Sequence, residues 1–226
     1  MNTWRQQAIV DDAKLASLHV TLIGAGGIGS PTALCLAKMG VQDLTVYDPD
    51  TVEDHNIPSQ LYRLADIGKP KVDSLWEVVA AFANIALTPM GERFESQPSF
   101  HLSGLVISAV DSMATRQEIW RRVASSPDVE YYIEARMGSE TGIVYALNPW
   151  EHEAVRAYEE TLYEDSEALQ LPCTARAIIY NVFGIAALIA NAVKRLAMGQ
   201  EIPFEVILDY ATMSMMTKEV PNGQEP

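Results

Sequence analysis

The chain has 226 residues, 48% of them hydrophobic, with 30 acidic against 16 basic side chains and a formal net charge of −14. That length holds one large α/β domain with a substantial core and leaves little room for a second. The acidic balance argues against nucleic acid as a partner, because that binding needs clustered Lys and Arg to release counterions, and a partner protein is the better expectation. With no run of about eighteen apolar residues and no charged-then-apolar leader, the expected setting is cytoplasmic, without a membrane. The only cysteines are Cys35 and Cys173, too few for a disulfide framework or a four-cysteine zinc site, so zinc is not expected.

Residues 1–17 have a helical pattern, with Trp4 and Arg5 at the start and Ile9 and Leu15 as packing positions. This predicts an N-terminal helical arm. His19 to Ile23 is a short strand rich in β-branched residues, followed by Gly24, Gly26, Gly27 and Gly29 and then a helical run from Thr32 to Met39. Strand, glycine turn and helix in this order suit a phosphate chain, which must approach backbone N–H groups at a helix N-terminus. A Cβ at Gly24 or Gly26 would hold the phosphates off, and Gly29 lets helix and strand pack closely. Gly40 stops the helix, and a second strand from Asp43 to Tyr47 ends in Asp48. That acid lies about twenty residues beyond the loop, where a ribose hydroxyl is commonly held. The loop alone leaves NAD, FAD, SAM and ATP open.

The segment from Pro49 to Gln60 is too polar and proline-punctuated for a core element, and is read as a loop across the C-terminal edge of the sheet. Lys69-Pro70-Lys71 opens a helix reaching about Asn84. Leu105 to Val110 is an apolar run expected to be buried on both faces, and it ends in a second acid, Asp111. A helix follows from Ala114 to about Ser125. Strands at Tyr131–Ala135 and Gly142–Leu147 are joined by a hairpin-like Arg136-Met137-Gly138-Ser139, so the sheet is expected to turn antiparallel there. Residues 151–172, dense in Glu and Asp, read as a mobile acidic crossover loop. A buried helix runs from Ala177 to Met198, with Gly184 marking close approach to a neighbour. Two strands, Phe204–Asp209 and Thr212–Thr217, close the chain. The expected architecture is a Rossmann-like three-layer α/β fold, with a mixed sheet whose N-terminal half is parallel and nucleotide-binding and whose C-terminal strands are antiparallel. One domain would occupy 1–216, with a disordered tail at 217–226.

Taken together, the glycine loop, the strand end Asp48-Pro49-Asp50, the loop Asn56-Ile57-Pro58-Ser59-Gln60, the helix start Gly68-Lys69-Pro70-Lys71, the spacing of Asp111 and Arg116, and the early pair Arg5-Gln6 resemble one family. It is the ThiF/MoeB/HesA superfamily of ubiquitin-activating-enzyme-like adenylyltransferases, and the resemblance covers nearly the whole chain. It implies ATP-dependent adenylation of the C-terminal carboxylate of a ubiquitin-like or sulfur-carrier protein with a flexible, glycine-ending tail. On that resemblance Asp111 holds Mg²⁺, Lys71 and Arg5 neutralise the phosphates, and Asp48 binds the ribose, with Asp50 and Gln60 in the same nucleotide-binding set. Asn56 positions the phosphate chain, and Arg5 serves the partner subunit's nucleotide, so a homodimer is implied. The chain departs from the family where an arginine precedes the loop glutamine. Here that residue is Ser59, and Arg63 or Arg136 would have to replace its contact.

Cys173, in Pro172-Cys173-Thr174 with Arg176 close by, stands at a predicted helix N-terminus, a setting that lowers a thiol pKa. A covalent role there, thioester or acyl-disulfide with the carrier, is set against a packing role. Cys35 lies on the apolar face of the first helix and reads as structural. Two alternatives remain. An NAD(P)-dependent oxidoreductase would share the glycine loop and Asp48, but the chain holds no Tyr-x-x-x-Lys and would leave Asn56, Lys71 and Asp111 without a task. A non-catalytic adaptor of the same fold would explain Ser59.

Overall fold

The structure, a computed structural model, describes residues 2–94, 101–163 and 177–220. Asp11 starts the first helix, α1 (Asp12–Ala16), by accepting hydrogen bonds on its carboxylate from the Ala13 and Lys14 amides. The rest of the expected arm is different: residues 4–9 form turns, and Ile9 is exposed. Among the described residues of this region only Val10 and Leu15 are buried apolar positions, too few to hold a longer helix against the sheet.

The chain continues through β1 (His19–Ile23), α2 (Gly29–Met39), β2 (Asp43–Tyr47), α3 (Lys71–Phe82), β3 (Ala86–Met90) and β4 (Gly104–Ser108). It then forms α4 (Met113–Ala124), β5 (Val129–Gly138), β6 (Thr141–Leu147), α5 (His152–Glu159), α6 (Ile179–Ala197), β7 (Glu205–Asp209) and β8 (Ser214–Lys218). One eight-stranded sheet results, in the order β3-β2-β1-β4-β5-β6-β7-β8. Pairing is parallel from β3 to β5 and antiparallel from β5 to β8, the mixed arrangement expected. Strand order reverses between β1 and β4, and the exits of these two strands flank the crevice that such a reversal opens.

Alternation along the strands builds the two sides of the core. Leu22, Leu105, Ile107 and Ile133 face a cluster with Leu36, Leu75 and Ile189 from α2, α3 and α6. Ile23, Val106, Tyr132 and Tyr145 face the other side, with Ile119 and Trp120 of α4 and Ala154 and Tyr158 of α5. With helices on both faces, the central strands need apolar residues at every position.

Three further elements differ from expectation. β3 carries no alternation and contains Pro89; it is the outer strand of the sheet, where only Leu87 is buried and a missing amide is tolerated. The start of the acidic segment is ordered as α5, because Ala154 and Tyr158, four residues apart, are both fully buried while the acidic side chains face outward. Residues 164–172 of that expected loop lie outside the described residues. β8 includes Thr217 and Lys218, which pair with Val206 and Glu205, so these two are not tail; residues 221–226 lie outside the described residues.

α6 has the length and mean hydropathy, 1.2, of a membrane span. Its Val182, Ile185, Ile189 and Val193 are instead buried against α2 and the sheet. At Gly184 an added Cβ would stand 2.1 Å from the Tyr210 hydroxyl, the close approach that the glycine predicted.

Candidate functional site

The glycine loop leaves the C-terminal end of β1 beside the exit of β4, where the Ala109 amide donates to the Ile23 carbonyl at 2.8 Å. Two of its glycines are demanded by the fold. Gly24 has φ +99°, and a Cβ there would lie 2.6 Å from the Ala109 carbonyl oxygen. A Cβ at Gly29 would lie 1.8 Å from the Gly24 carbonyl oxygen. At Gly26, by contrast, a Cβ would meet nothing within 4 Å, so that position opens outward. Gly27 lies under Val182, the Ser59 carbonyl and Met137. α2 begins here with no side-chain cap and no acid in its first turn; the Ser30 and Thr32 amides donate to the Gly26 and Ile28 carbonyls and Pro31 has none, so the donors left to an anion at the positive dipole end are the amides of the loop at 26–29.

Asp48, just past β2, is buried and reaches across to the loop. Its Oδ2 accepts the Ala25 amide at 2.7 Å and its Oδ1 the Asp50 amide at 2.9 Å. A carboxylate has about four acceptor positions, so a further donor can still be received. Lys71, the first residue of α3, is buried, with Nζ 2.8 Å from Asp50 Oδ2 and 3.9 Å from Asp48 Oδ1. A cation at a helix N-terminus opposes the dipole, and these two acids offset that. The Lys71 amide donates to the Asp50 carbonyl at 2.9 Å and Thr51 pairs with Pro70. Strand exit and helix start are thereby stitched together.

The segment between them crosses the C-terminal edge of the sheet, as expected. Asn56 is buried in a short helical turn where its Oδ1 accepts the Glu53 amide at 2.9 Å, which leaves its NH₂ as the available donor. Gln60 Oε1 is buried without a hydrogen-bond partner. The Ser30 hydroxyl donates to the Gly26 carbonyl at 2.7 Å and accepts the Leu61 amide at 3.0 Å, so segment and glycine loop hold each other. Tyr62 is buried, and its hydroxyl donates to the Ala25 carbonyl at 2.6 Å. Sequence reasoning missed both residues. Ser30 could have been found as a hydroxyl one position into a helix, whereas nothing marks Tyr62 within a polar loop.

Asp111 is exposed beyond β4, on the other side of the crevice, next to Ser112, which caps α4 through the Thr115 amide at 3.1 Å. The preceding carbonyl, Val110, accepts from Arg116 at 2.7 Å. Arg116 is buried and pairs with the fully buried Glu134 at 2.5 Å. It therefore braces the strand end that carries Asp111. Glu134 also receives Arg136 at 2.8 Å and the Tyr158 hydroxyl at 3.2 Å. Arg136 continues to the Thr161 carbonyl at 2.8 Å and stacks on Tyr145 at 4.7 Å. Arg63 is bound to Asp66 and Glu77, and its hydrogen bonds hold the Asp66 carboxyl down to about 2. Both arginines that might have replaced the one missing at Ser59 are thus engaged within the protein.

Arg5 is not brought to this site. It is exposed, 5.5 Å over Trp4, and the neighbouring Gln6 donates to the Met39 carbonyl at 2.6 Å. That bond pins the segment to the far end of α2, about 16 Å along the helix from the glycine loop. Cys173 lies outside the described residues. Cys35 is half-buried, and burial pushes its thiol up, which disfavours the nucleophilic thiolate. Among the described residues no group of three or more His, Cys, Asp or Glu side chains converges as a metal cluster.

The family model for ThiF matches residues 4–225. The chain belongs to the ThiF family. It is 28% identical over 193 residues to the sulfur carrier protein ThiS adenylyltransferase of Escherichia coli K12, a match covering 80% of this chain and 75% of that protein. It is 32% identical over 108 residues to the SAMP-activating enzyme E1 of Haloferax volcanii, with coverage of 46% and 40%. The adenylyltransferase and sulfurtransferase Uba4 of Neosartorya fischeri is 38% identical over 112 residues, 49% of this chain and 22% of that protein. The chain thus spans less than half of the last two relatives. Among solved structures, PaaA superposes with TM-score 0.71 at 19% identity, and Escherichia coli MccB with ATP at 0.70 and 15%, each covering 92% of this ThiF-family chain and 66% of the other. At these identities the likeness is one of fold.

The two kinds of glycine in the loop should separate on substitution. Gly29→Ala forces backbone apart and is expected to lower stability by at least about 2 kcal/mol, whereas Gly26→Ala should change it by no more than about 0.5 kcal/mol. Urea unfolding of both variants checks this, and equal losses would contradict the assignment.

Proposed function

We propose that this ThiF-family chain is an ATP-dependent adenylyltransferase that activates the C-terminal carboxylate of a sulfur-carrier or ubiquitin-like protein. One observation carries the reading: an uncapped helix N-terminus behind an outward-open Gly26, the Asp48–Lys71–Asp50 group and Asp111 converge on the crevice between β1 and β4. The names of the relatives support it, since each is an adenylyltransferase or an activating enzyme.

A C-terminal carboxylate is already an ionised nucleophile at neutral pH. Its attack on the α-phosphate therefore needs alignment and charge compensation rather than a general base. Amides of the glycine loop leading into α2 would cradle the phosphates, Asp48 would take a ribose hydroxyl on its remaining acceptor positions, and Lys71 would compensate phosphate charge beside Asp50. The Asn56 NH₂ would hold the chain of phosphates, and Gln60 Oε1 would gain the donor that it lacks. Mg²⁺ is commonly bound by one or two carboxylates plus substrate phosphates; the exposed Asp111 suits that donor set and would supply charge neutralisation there.

Because Arg5 is pinned at the far end of α2, it would serve a second copy's site, giving a homodimer with two shared centres. A second reading, a non-catalytic adaptor, is favoured by one observation: Ser59 supplies no cation, and Arg63 and Arg136 are engaged elsewhere. Covalent transfer to Cys173 rests on the sequence Pro172-Cys173-Thr174, its predicted helix-N-terminal setting and the neighbouring Arg176.

Carrier-dependent ATP–pyrophosphate exchange tests the proposal. Asp111→Ala and Arg5→Ala should each lose at least about tenfold, while mixed dimers of the two regain activity. Exchange that survives in Asp111→Ala refutes the metal role, no recovery in mixed dimers refutes the shared site, and no exchange in the wild type with any glycine-ending carrier supports the adaptor. Cys173→Ala should keep exchange but lose any thiol-sensitive adduct with the carrier; an adduct that persists excludes Cys173.

A further inference from the structure

Three successive peptide units of the glycine loop are each held from a different direction. The Ala25 N–H is taken by Asp48, the Ala25 carbonyl by the Tyr62 hydroxyl, and the Gly26 carbonyl by Ser30. The first and third belong to the strand end and to the helix start. The second comes from a side chain in the crossing segment. In a trans peptide the carbonyl and the next N–H point to opposite sides. Drawing the Ala25 carbonyl toward buried Tyr62 thus sets the Gly26 N–H on the side opposite Tyr62. Gly26 is also where a Cβ would meet open space, and its N–H has no hydrogen-bond acceptor among the described residues.

We propose that Tyr62 is a positioning residue for the nucleotide's phosphates, its hydroxyl aiming the Gly26 N–H at them. Burial, with Asp48, Asp66 and Asp50 adding to it, raises the phenol well above its ordinary pKa, so Tyr62 stays protonated and a donor across the neutral range. A free peptide unit would rotate and present its carbonyl to the phosphates, setting lone pairs against negative charge. The Tyr62 hydrogen bond removes that orientation before ligand arrives, as a preorganised donor must.

The proposal rests on the crevice being a nucleotide site, and the experiment separates the two claims. Affinity for ATP and for adenosine is measured on the wild type and on Tyr62→Phe, and the wild-type Gly26 amide is followed by ¹⁵N–¹H NMR. Tyr62→Phe should bind ATP roughly three- to tenfold more weakly, with adenosine unchanged. In exchange assays the KM for ATP should rise while that for the carrier stays fixed. In the wild type, ATP should shift the Gly26 amide and adenosine should not. ATP affinity equal to wild type, or equal weakening toward ATP and adenosine, overturns the proposal. So does a Gly26 amide that stays in place while neighbouring amides respond to ATP, a result that holds even if Tyr62→Phe does not fold. A wild type with no response to ATP anywhere overturns the nucleotide reading itself, and this proposal with it.

Discussion

The 2.7 Å hydrogen bond from the Ala25 amide to the Asp48 carboxylate joins the exits of β1 and β2, and the arrangement of the ligand edge depends on it. A buried carboxylate must be satisfied, and Asp48 is satisfied by two backbone amides with Lys71 close by. One acid thereby sets the path of the glycine loop, the turn after β2 and the first residue of α3. The residue that the sequence assigns to a ribose therefore organises the ligand edge itself. Its remaining acceptor capacity would let one side chain do both.

A second buried acid plays the corresponding part on the far side of the crevice. Glu134 on β5 gathers Arg116, Arg136 and the Tyr158 hydroxyl. Through Arg116 it reaches the Val110 carbonyl before Asp111, and through Arg136 it reaches Thr161 after α5. The sequence spacing that pairs Asp111 with Arg116 thus has a mechanical meaning: the arginine holds the strand end and the aspartate faces outward. The same network uses up Arg136, which removes one cation from those available to the crevice among the described residues. Among the described residues, positive character on its walls comes from backbone amides and Lys71; a metal ion and a second copy's Arg5 are the further cations of the proposed reading.

Much of this could be read from the sequence. β1 and β2 stop directly before Gly24 and Asp48, and β4 stops three residues before Asp111; strand ends followed by glycine or acid are legible because apolar runs stop there. The antiparallel turn at β5–β6 was equally legible, since Arg136-Met137-Gly138-Ser139 is too short for a crossover helix. What escaped did so for physical reasons. β3 is an outer strand with one buried side chain and shows no periodicity. α5 is anchored by only Ala154 and Tyr158, and the acidic residues around them read as a solvated loop. Tyr62 acts on a backbone carbonyl far away in sequence, and no local pattern encodes such a contact. The reach of Arg5 is set by the Gln6–Met39 hydrogen bond, a tertiary fact.

The central claim is that a carrier's terminal carboxylate oxygen attacks the α-phosphate of ATP. The most direct measurement labels both oxygens of that carboxylate with ¹⁸O, supplies ATP and hydroxylamine as acceptor, and weighs the AMP released. Attack by the carboxylate leaves one labelled oxygen bridging carbon and phosphorus, and cleavage at the carbonyl by hydroxylamine delivers that oxygen to AMP. The account predicts AMP carrying a single ¹⁸O, matched by carrier hydroxamate. Unlabelled AMP, or no AMP with an authentic glycine-ending carrier present, would contradict it.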